Sequence, residues 1–275
     1  MANEENHVYP QTASNTIKRH RERGHYDTEA VHSIVNTAPV AHVSFVPDPS
    51  NPAPVILPMI ARIGHFSGAE EASAYIHGYV STLLFRPRTA SSLPANATHE
   101  EEGFPICIAA TKIVNLVLSL TPFSHSYDYR SAVVHGHASL LDPEADHEEI
   151  IYAMQLITDG MVPQRWANSR TPPNASEIAA TRILKVRIDS ASAKIRDSGV
   201  KEEAKDLKNA AATNNVWTGI IPYVEMLGVP LPAPTNKVAA VPQYIQDHVR
   251  AHNEAAGADG VKGLISKLVS SVFGR

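Results

Sequence analysis

The chain has 275 residues, with 24 Lys and Arg against 28 Asp and Glu, which gives a net charge of −4. This balance argues against a strongly basic nucleic-acid-binding protein, because no excess of cations is present to attract a phosphate backbone. Cys107 is the only cysteine. It excludes both an intrachain disulfide scaffold and a zinc site built on several thiolates.

Neither a signal peptide nor a membrane span is predicted. The first eleven residues are polar and acidic and lack the apolar core of a secretory signal. The most apolar stretch, Phe104 to Phe123, is interrupted by Lys112 and Asn115, and no run reaches the roughly 18–20 apolar residues that span a bilayer. We therefore expect a cytoplasmic protein with no stable membrane insertion and no nucleic-acid partner.

The predicted elements begin with a basic, polar stretch, Thr16 to Tyr26, which is either solvated or reaches an anionic ligand or a partner subunit. Asp27 or Thr28 then caps a helix whose apolar residues recur at helical spacing until Pro39. Strands are predicted over residues 40–46, 54–61, 74–77, 106–111, 116–120, 132–141, 181–188 and 193–196, and further helices after Gly78, over 142–160 and twice in the tail beyond 239.

These elements predict the fold class. Six or seven strands joined mostly by hairpins, with a few helices, indicate a mainly β protein with helices (α+β), built as an antiparallel barrel or sandwich. The regular strand–helix alternation of a Rossmann fold is absent, as are a G-x-G-x-x-G motif and a P-loop.

The segment Tyr75-Ile-His-Gly-Tyr-Val-Ser-Thr82 is the most informative one for chemistry. A strand ends at His77, Gly78 permits a tight turn or a close backbone approach, and two hydroxyl residues follow where a helix is predicted to begin. Free N–H groups at a helix start attract phosphate, although Ser and Thr there often serve only as helix caps. Arg62 can reach the same place if its strand neighbours that of His77; otherwise it is a surface residue.

A second polar segment, Phe123 to Ser131, concentrates His, Tyr, Arg and Ser side chains at the entrance to a strand, as a functional loop or a structural polar corner. Lys194 and Arg196 alternate on one strand and so share a face. His135 and His137 also share a face, a spacing that metal sites use, but no carboxylate or further His lies at a matching short spacing. We therefore predict no dedicated metal site. The sequence has no G-x-S-x-G nucleophile elbow.

The order of these motifs resembles a fungal member of the pyridoxamine 5'-phosphate oxidase-like, FMN-binding split β-barrel proteins. The branch that it resembles is that of the flavin-nucleotide-binding proteins related to nitroimidazole-resistance proteins. The resemblance spans about residues 16–235 and is carried by RHRERGHYD (19–27), AHVSFV (41–46), PVILPMIAR (54–62), YIHGYVST (75–82), SHSYDYRSAVVHGHA (124–138), SAKIRDSG (192–199) and VWTGIIP (216–222).

The resemblance implies a homodimer of split barrels with FMN at the subunit interface. It implies that Pro58, Met59 and Ile60 line the isoalloxazine, that Arg62, Ser81 and Thr82 bind the phosphate, and that Arg130 and Ser131 contact the flavin. His77 matches a functional histidine of the nitroimidazole-resistance relatives. With the candidates from the residue patterns, the cofactor-binding set is Pro58, Met59, Ile60, Arg62, His77, Gly78, Ser81, Thr82, Arg130, Ser131, Lys194 and Arg196.

The resulting hypothesis is an FMN-dependent oxidoreductase of a small molecule, with His77 and Tyr129 as candidate catalytic residues. The alternative is a non-catalytic protein that binds a flavin, or a haem through His77 or His125. The oxidases carry an Arg-Lys pair where this chain has Thr82 and Leu83, and vitamin B6 oxidation is not predicted. The domain organisation expected is a flexible N-terminus (1–15), an FMN-binding domain (16–235) and a helical tail (236–275).

Overall fold

The computed structural model of the protein describes residues 7–48, 50–67, 69–85 and 103–257. Within these ranges the α-helices are α1 (Thr28–Thr37), α2 (His147–Met161), α3 (Ala175–Ala180), α4 (Ala204–Leu207), α5 (Ala210–Asn215) and α6 (Gln243–Gly257). The strands are β1 (Gly24–His25), β2 (Ala41–Phe45), β3 (Val55–Met59), β4 (Ala61–Gly64), β5 (Ser73–Tyr79), β6 (Phe104–Leu118), β7 (Ser126–Leu140), β8 (Thr181–Arg196) and β9 (Gly219–Pro222).

The strands form one nine-stranded sheet in the order β3-β2-β6-β7-β8-β5-β4, with β1 added to β8 and β9 added to β6. The pairs β2–β3, β2–β6, β4–β5, β5–β8, β1–β8 and β6–β9 are all antiparallel. The sheet does not close on itself in this order. The predicted fold class, α+β with a split antiparallel barrel, is confirmed.

The chain divides into two compact units. The first comprises residues 1–112 and 130–195, and the second comprises residues 113–129 and 196–275. The unit boundaries fall within β6, β7 and β8.

The main core of the first unit forms where α1 packs its apolar stripe. Val31, Ile34 and Val35 of that helix are buried in one cluster with residues of the sheet strands. The side chain of Asp27 accepts the N–H of Ala30 at 2.8 Å, so Asp27 is the helix cap, as predicted. The helix ends before Pro39, where the sequence places its stop.

The hairpin predicted for residues 40–61 is confirmed, with Ala41 opposite Met59 and Phe45 opposite Val55. Its second strand is shorter than predicted. The predicted strand is interrupted at Ile60, because β3 before this residue pairs with β2, whereas β4 after it pairs with β5. Side-chain alternation does not reveal such a change of partner.

Three further strand predictions are wrong in extent. No turn occurs at Asn115, because β6 runs unbroken and the amide of this buried residue donates to Asp128 Oδ2 at 3.1 Å. The predicted loop 124–130 is already strand from Ser126 onward. β8 is one continuous strand where two were predicted, over 181–188 and 193–196. The polar residues between them, Ser190 and Ser192, lie buried within the sheet.

A partly buried tyrosine–histidine pair joins the N-terminal segment to α1. The hydroxyl of Tyr9 lies 2.6 Å from Nε2 of His32. Burial raises the pKa of Tyr9 to about 12, and burial, helped by the positive charges of His65 and His7, lowers the pKa of His32 to about 4. His32 is therefore neutral in the folded protein at pH 6, where an unfolded histidine is largely protonated.

Stability should consequently fall with acidity through His32. Because its folded pKa is below the unfolded value, the unfolded state binds more protons between pH 6.5 and 4, and the stabilising effect present above pH 6.5 is lost across that window. With allowance for solvent screening we expect a loss of about 1–2 kcal/mol. Urea unfolding of the wild type and of His32→Gln at several pH values measures this, and an identical pH slope in both proteins would contradict it.

Candidate functional site

The candidate site is built on the end of β5. β5 pairs with β4 and β8, which places Arg62 and Lys185 beside Tyr75, and Ile183 beside His77. Tyr75 and His77 are two residues apart on the strand and therefore share a face. Arg62 lies on the strand next to that of His77, which meets the condition set above for Arg62 to reach the same place.

A second apolar cluster packs over this face. Ile150, Ala153 and Ile157 of α2 are buried against Tyr75 and Ile183. The hydroxyl of Tyr75 donates to Oε1 of Glu149 at 2.5 Å, and Lys185 Nζ lies 2.8 Å from the same oxygen. Burial, followed by this hydrogen bond, raises the pKa of Tyr75, so the tyrosine remains a neutral donor. These contacts fix the position of α2 over β5.

A cavity of about 290 Å³ lies beside this cluster. It is formed by β5, the C-terminal half of α2, the loop after it, α3 and the first residue of β8. Its volume lies just below the roughly 300–1,000 Å³ that ligand pockets occupy. The lining side chains are His77, Met154, Ile157, Thr158, Trp166, Arg170, Pro173, Glu177 and Thr181.

His77, which is a candidate site residue from the sequence, is one of the titratable residues that line this cavity. Its side chain is half-buried, and burial lowers its pKa below the ordinary value of 6.5. The imidazole is therefore mainly neutral at pH 7, with one ring nitrogen able to accept a proton or bind a metal-centred cofactor. A cavity with apolar and aromatic walls and a neutral imidazole is typical of a small-molecule or cofactor site.

Two residues at the rim of the cavity carry opposite charges. Arg170 Nη2 pairs with Oε1 of Glu177, and Oε2 of Glu177 accepts the backbone N–H of Asn174 at 2.8 Å. Asn174 in turn accepts the N–H of Glu177 and caps α3. The capping box thus holds Glu177, and through it Arg170, at the cavity.

Four residues that line the cavity are not predicted from the sequence, because they lie far along the chain from His77: Met154, Trp166, Arg170 and Glu177. One signal was available: Trp166 is one of only two tryptophans and sits in a predicted polar loop. A large aromatic side chain in such a loop is costly to expose and often lines a site.

Gly78 permits a close approach, but the approaching group is a side chain of the protein. A Cβ at this position would lie 2.3 Å from Cε2 of Phe85, whose ring is fully buried. The structure therefore explains this glycine by the packing of Phe85. Its predicted contact with a cofactor stays a prediction.

The hydroxyl residues that follow lie in a tight turn. Thr82 donates its N–H to Tyr79 O at 2.9 Å, and a three-residue 3₁₀ helix, Leu83–Phe85, comes next. Residues 86–102, which follow the short predicted helix and include most of the loop expected over 91–103, lie outside the described residues. The phosphate-binding roles of Ser81 and Thr82 remain predictions.

Arg62 is buried and already has protein partners. Its Nη1 donates to Ala61 O at 2.8 Å and Ala38 O at 3.2 Å, and its Nη2 donates to Gly160 O at 2.9 Å. Burial lowers its pKa. To serve as the predicted phosphate ligand, Arg62 must give up some of these carbonyl bonds.

The three residues predicted to line the isoalloxazine lie at the end of β3 and just after it. Pro58 is exposed and pairs with His42, and Met59 packs against the main core. Ile60 packs against the α2 cluster. Their contact with a flavin stays a prediction.

Three other candidates lie on the neighbouring strands β7 and β8 in the first unit: Arg130, Ser131 and Lys194. Ser131 Oγ donates to Lys194 O at 3.4 Å, while the side chain of Arg130 is exposed. These residues are available to a ligand of the first unit, and their predicted cofactor contacts are untested.

The remaining candidates, His125, Tyr129 and Arg196, belong to the second unit. Arg196 Nε lies 3.3 Å from Oδ1 of the buried Asp128, and its Nη1 donates to Ser126. His125 is exposed, and its Nδ1 lies 3.0 Å from Thr121 O. Of the two histidines predicted as haem ligands, His77 lines a cavity of its own unit, whereas His125 lies exposed.

No group of three or more His, Cys, Asp or Glu side chains in the described residues is arranged to hold a metal ion. None of the helices seen there is both long and apolar enough to cross a bilayer.

The fold and the cavity define an α+β protein with an open antiparallel sheet and a histidine-lined pocket. The sequence profile of the pyridoxamine 5'-phosphate oxidase family matches residues 27–195, more than half of the chain. The chain belongs to this family. No curated protein sequence matches it.

Solved structures resemble the chain over most of its length. The flavocytochrome Anf3 from Azotobacter vinelandii is 25% identical, with 86% of this chain and 97% of that chain covered and a TM-score of 0.68. The FAD and heme binding protein from Mycobacterium smegmatis is 23% identical, with 82% and 97% covered and a TM-score of 0.64. Both similarities support the assigned fold.

Proposed function

We propose that the protein binds a flavin, FMN, and is a flavin-dependent oxidoreductase that acts on a small molecule. The observation that carries the proposal is the neutral, half-buried imidazole of His77 on an apolar cavity, in a chain of the pyridoxamine 5'-phosphate oxidase family. Similarity to a flavocytochrome over 86% of the chain supports it. The proposed cofactor domain is residues 16–235 and the proposed helical tail is 236–275, of which residues 258–275 lie outside the described residues.

The cavity fits the reactive part of such a cofactor in its chemistry. Trp166 and Met154 offer aromatic and polarisable contact to a flat ring, and Arg170 offers a cation for an anionic group. A bound flavin supplies the hydride or electron transfer, which no amino-acid side chain provides. His77 would orient the bound group and hold or release a proton at a ring nitrogen, and Tyr129 is the second proposed proton donor.

Haem is the second candidate, favoured by one specific observation. An imidazole and a thioether, from His77 and Met154, line the same cavity, and both groups are haem ligands in proteins. In this alternative the protein binds flavin or haem without turnover. The similarity to the FAD and heme binding protein supports the fold on which this alternative rests.

We also propose that the protein is a cytoplasmic homodimer. Within its family, we propose that it belongs to the flavin-nucleotide-binding branch related to nitroimidazole-resistance proteins. The remaining cofactor-binding candidates keep the roles proposed from the sequence and the resemblance: Pro58, Met59, Ile60, Arg62, Gly78, Ser81, Thr82, Arg130, Ser131, Lys194 and Arg196.

The absorption spectrum of the purified full chain tests the proposal. We expect a flavin band, or a Soret band if haem is bound, and a loss of at least about tenfold in cofactor affinity in His77→Ala because a direct contact is removed. His125→Ala is the matched control and should keep the cofactor. A colourless protein that binds neither flavin nor haem on titration would refute the proposal.

A further inference from the structure

The cavity beside β5 is small compared with a cofactor. Its volume of about 290 Å³ lies just below that of pockets for drug-sized ligands. At the roughly 30 Å³ that one water molecule takes in the liquid, the cavity has room for about ten non-hydrogen atoms. A complete flavin or haem is much larger and must lie mostly outside it. The cavity can therefore enclose one ring with a substituent, which is the size of a small substrate.

The apolar part of the cavity wall suits a flat ring. It contains aliphatic, aromatic and thioether groups from Met154, Ile157, Trp166 and Pro173. The backbone N–H of Trp166 donates to Asp159 Oδ1 at 2.7 Å, which fixes the loop residue that carries the indole. An indole and a thioether both make favourable contacts with an aromatic ring beyond the area that they bury. An aromatic ligand is therefore favoured over an aliphatic ligand of equal size.

The carboxylate at the rim of the cavity already has a donor for each of its oxygens. Oε1 of Glu177 pairs with Arg170, and Oε2 accepts the backbone N–H of Asn174 at 2.8 Å. The capping box of α3 keeps Glu177 in this arrangement. A cationic ligand would have to displace one of these donors, so Glu177 is a poor receptor for it.

Arg170, in contrast, has donors that no described residue uses. A guanidinium group carries five N–H donors. Within the described residues the only hydrogen-bond partner of this side chain is Glu177, which it reaches through Nη2. Nε and Nη1 are left for a ligand, and two adjacent N–H groups of a guanidinium match the two oxygens of a carboxylate.

The other lining residues do not change this balance of charge. His77 is mainly neutral at pH 7, and Thr158 and Thr181 contribute hydroxyl groups. Arg170 and Glu177 are thus the two charged groups of the lining, and Glu177 is the one whose hydrogen-bonding atoms are occupied. The cavity therefore favours an anionic group over a cationic one.

We propose that the cavity binds a single-ring aromatic carboxylate, with the carboxylate on Arg170 and the ring against Trp166. This inference rests on the proposed function and names the class of small molecule on which the oxidoreductase acts. Arg170 is the residue that determines the specificity, and Glu177 competes with the ligand for it.

Calorimetric titration of the purified full chain with benzoate and with benzamide tests the proposal. The two probes have nearly the same shape and differ in charge. Benzoate should bind with a dissociation constant below about 1 mM and at least about tenfold more tightly than benzamide. Arg170→Gln should abolish this preference and leave the binding of benzamide unchanged. Arg165→Gln, at an exposed residue of the same loop that does not line the cavity, is the matched control and should keep the preference.

Glu177→Gln should give a result that a folding defect cannot produce. It removes the competing charge and keeps a side-chain oxygen for the N–H of Asn174, so benzoate should bind at least about twofold more tightly than it binds to the wild type. Unchanged or weaker binding would overturn the assigned competition.

The absorption spectrum of the same sample separates this proposal from that of the flavin. A flavin-containing protein that does not bind benzoate, binds both probes equally, or keeps its preference in Arg170→Gln overturns the ligand class and leaves the flavin proposal intact. A colourless protein that prefers benzoate through Arg170 supports the ligand class and refutes the flavin-dependent reaction.

Discussion

Replacement of Asp128 by alanine should destabilise the protein by about 3–5 kcal/mol, the usual consequence of leaving a buried cation without its partner. Asp128 is 0% exposed, and Arg196 lies 3.3 Å from its Oδ1. Its Oδ2 accepts Asn115 Nδ2 at 3.1 Å and the N–H of Gly199 at 3.3 Å. The substitution removes all three contacts within the second unit.

Urea unfolding monitored by circular dichroism measures this loss. Asp128→Asn keeps the shape and one acceptor oxygen and should lose less than the alanine variant. Glu203→Ala is the matched control, because that carboxylate pairs with Lys205 at the surface and should change the stability by less than about 1 kcal/mol. Equal losses in Asp128→Ala and Glu203→Ala would show that the buried pair is not a stabilising centre.

Replacement of Gly136 by alanine should cost at least about 3 kcal/mol, because the added methyl group has no room. A Cβ on this residue of β7 would lie 2.0 Å from the backbone oxygen of Arg187 in β8. Backbone atoms of a paired strand cannot move aside as a flexible side chain can. The two strands must separate locally, and the apolar contacts behind them must be lost.

Thermal and urea unfolding of Gly136→Ala give the size of the effect. Gly257→Ala serves as the control, since no atom lies within 4 Å of a Cβ there and alanine favours a helix. An alanine at 136 that leaves the unfolding midpoint unchanged would mean that β7 and β8 do not approach as described. Gly136 belongs to the motif that carries the family resemblance, and the structure gives it a packing role.

The sequence was sufficient to predict those elements whose formation depends on neighbouring residues. The cap at Asp27, the stop at Pro39 and the hairpin of β2 and β3 each depend on residues close in sequence. The turn predicted at Asn115 was wrong. The side-chain amide of Asn115 lies within the sheet because it donates a hydrogen bond to Asp128, a residue outside its local sequence. Pairing of this kind cannot be inferred from alternation alone.

The candidate site was predictable in part for the same reason. His77 lies on a short motif and was found, and the structure places it on a cavity. Trp166, Arg170 and Glu177 reach that cavity through the loop after α2 and the cap of α3, and nothing in the intervening sequence links them to His77. Arg62 shows the converse case, since its motif suggested an anion and its geometry shows three carbonyl partners.

The two tryptophans are divided between the two units. Trp166 borders the cavity of the first unit, and Trp217 is solvent-exposed in the second. Because the chain has no other tryptophan, its tryptophan fluorescence contains one emitter for each unit. Quenching by an absorbing ligand in the cavity affects the emitter of the first unit, whereas a change of polarity around Trp217 shifts the emission of the second. The protein thus carries one natural optical label in each unit.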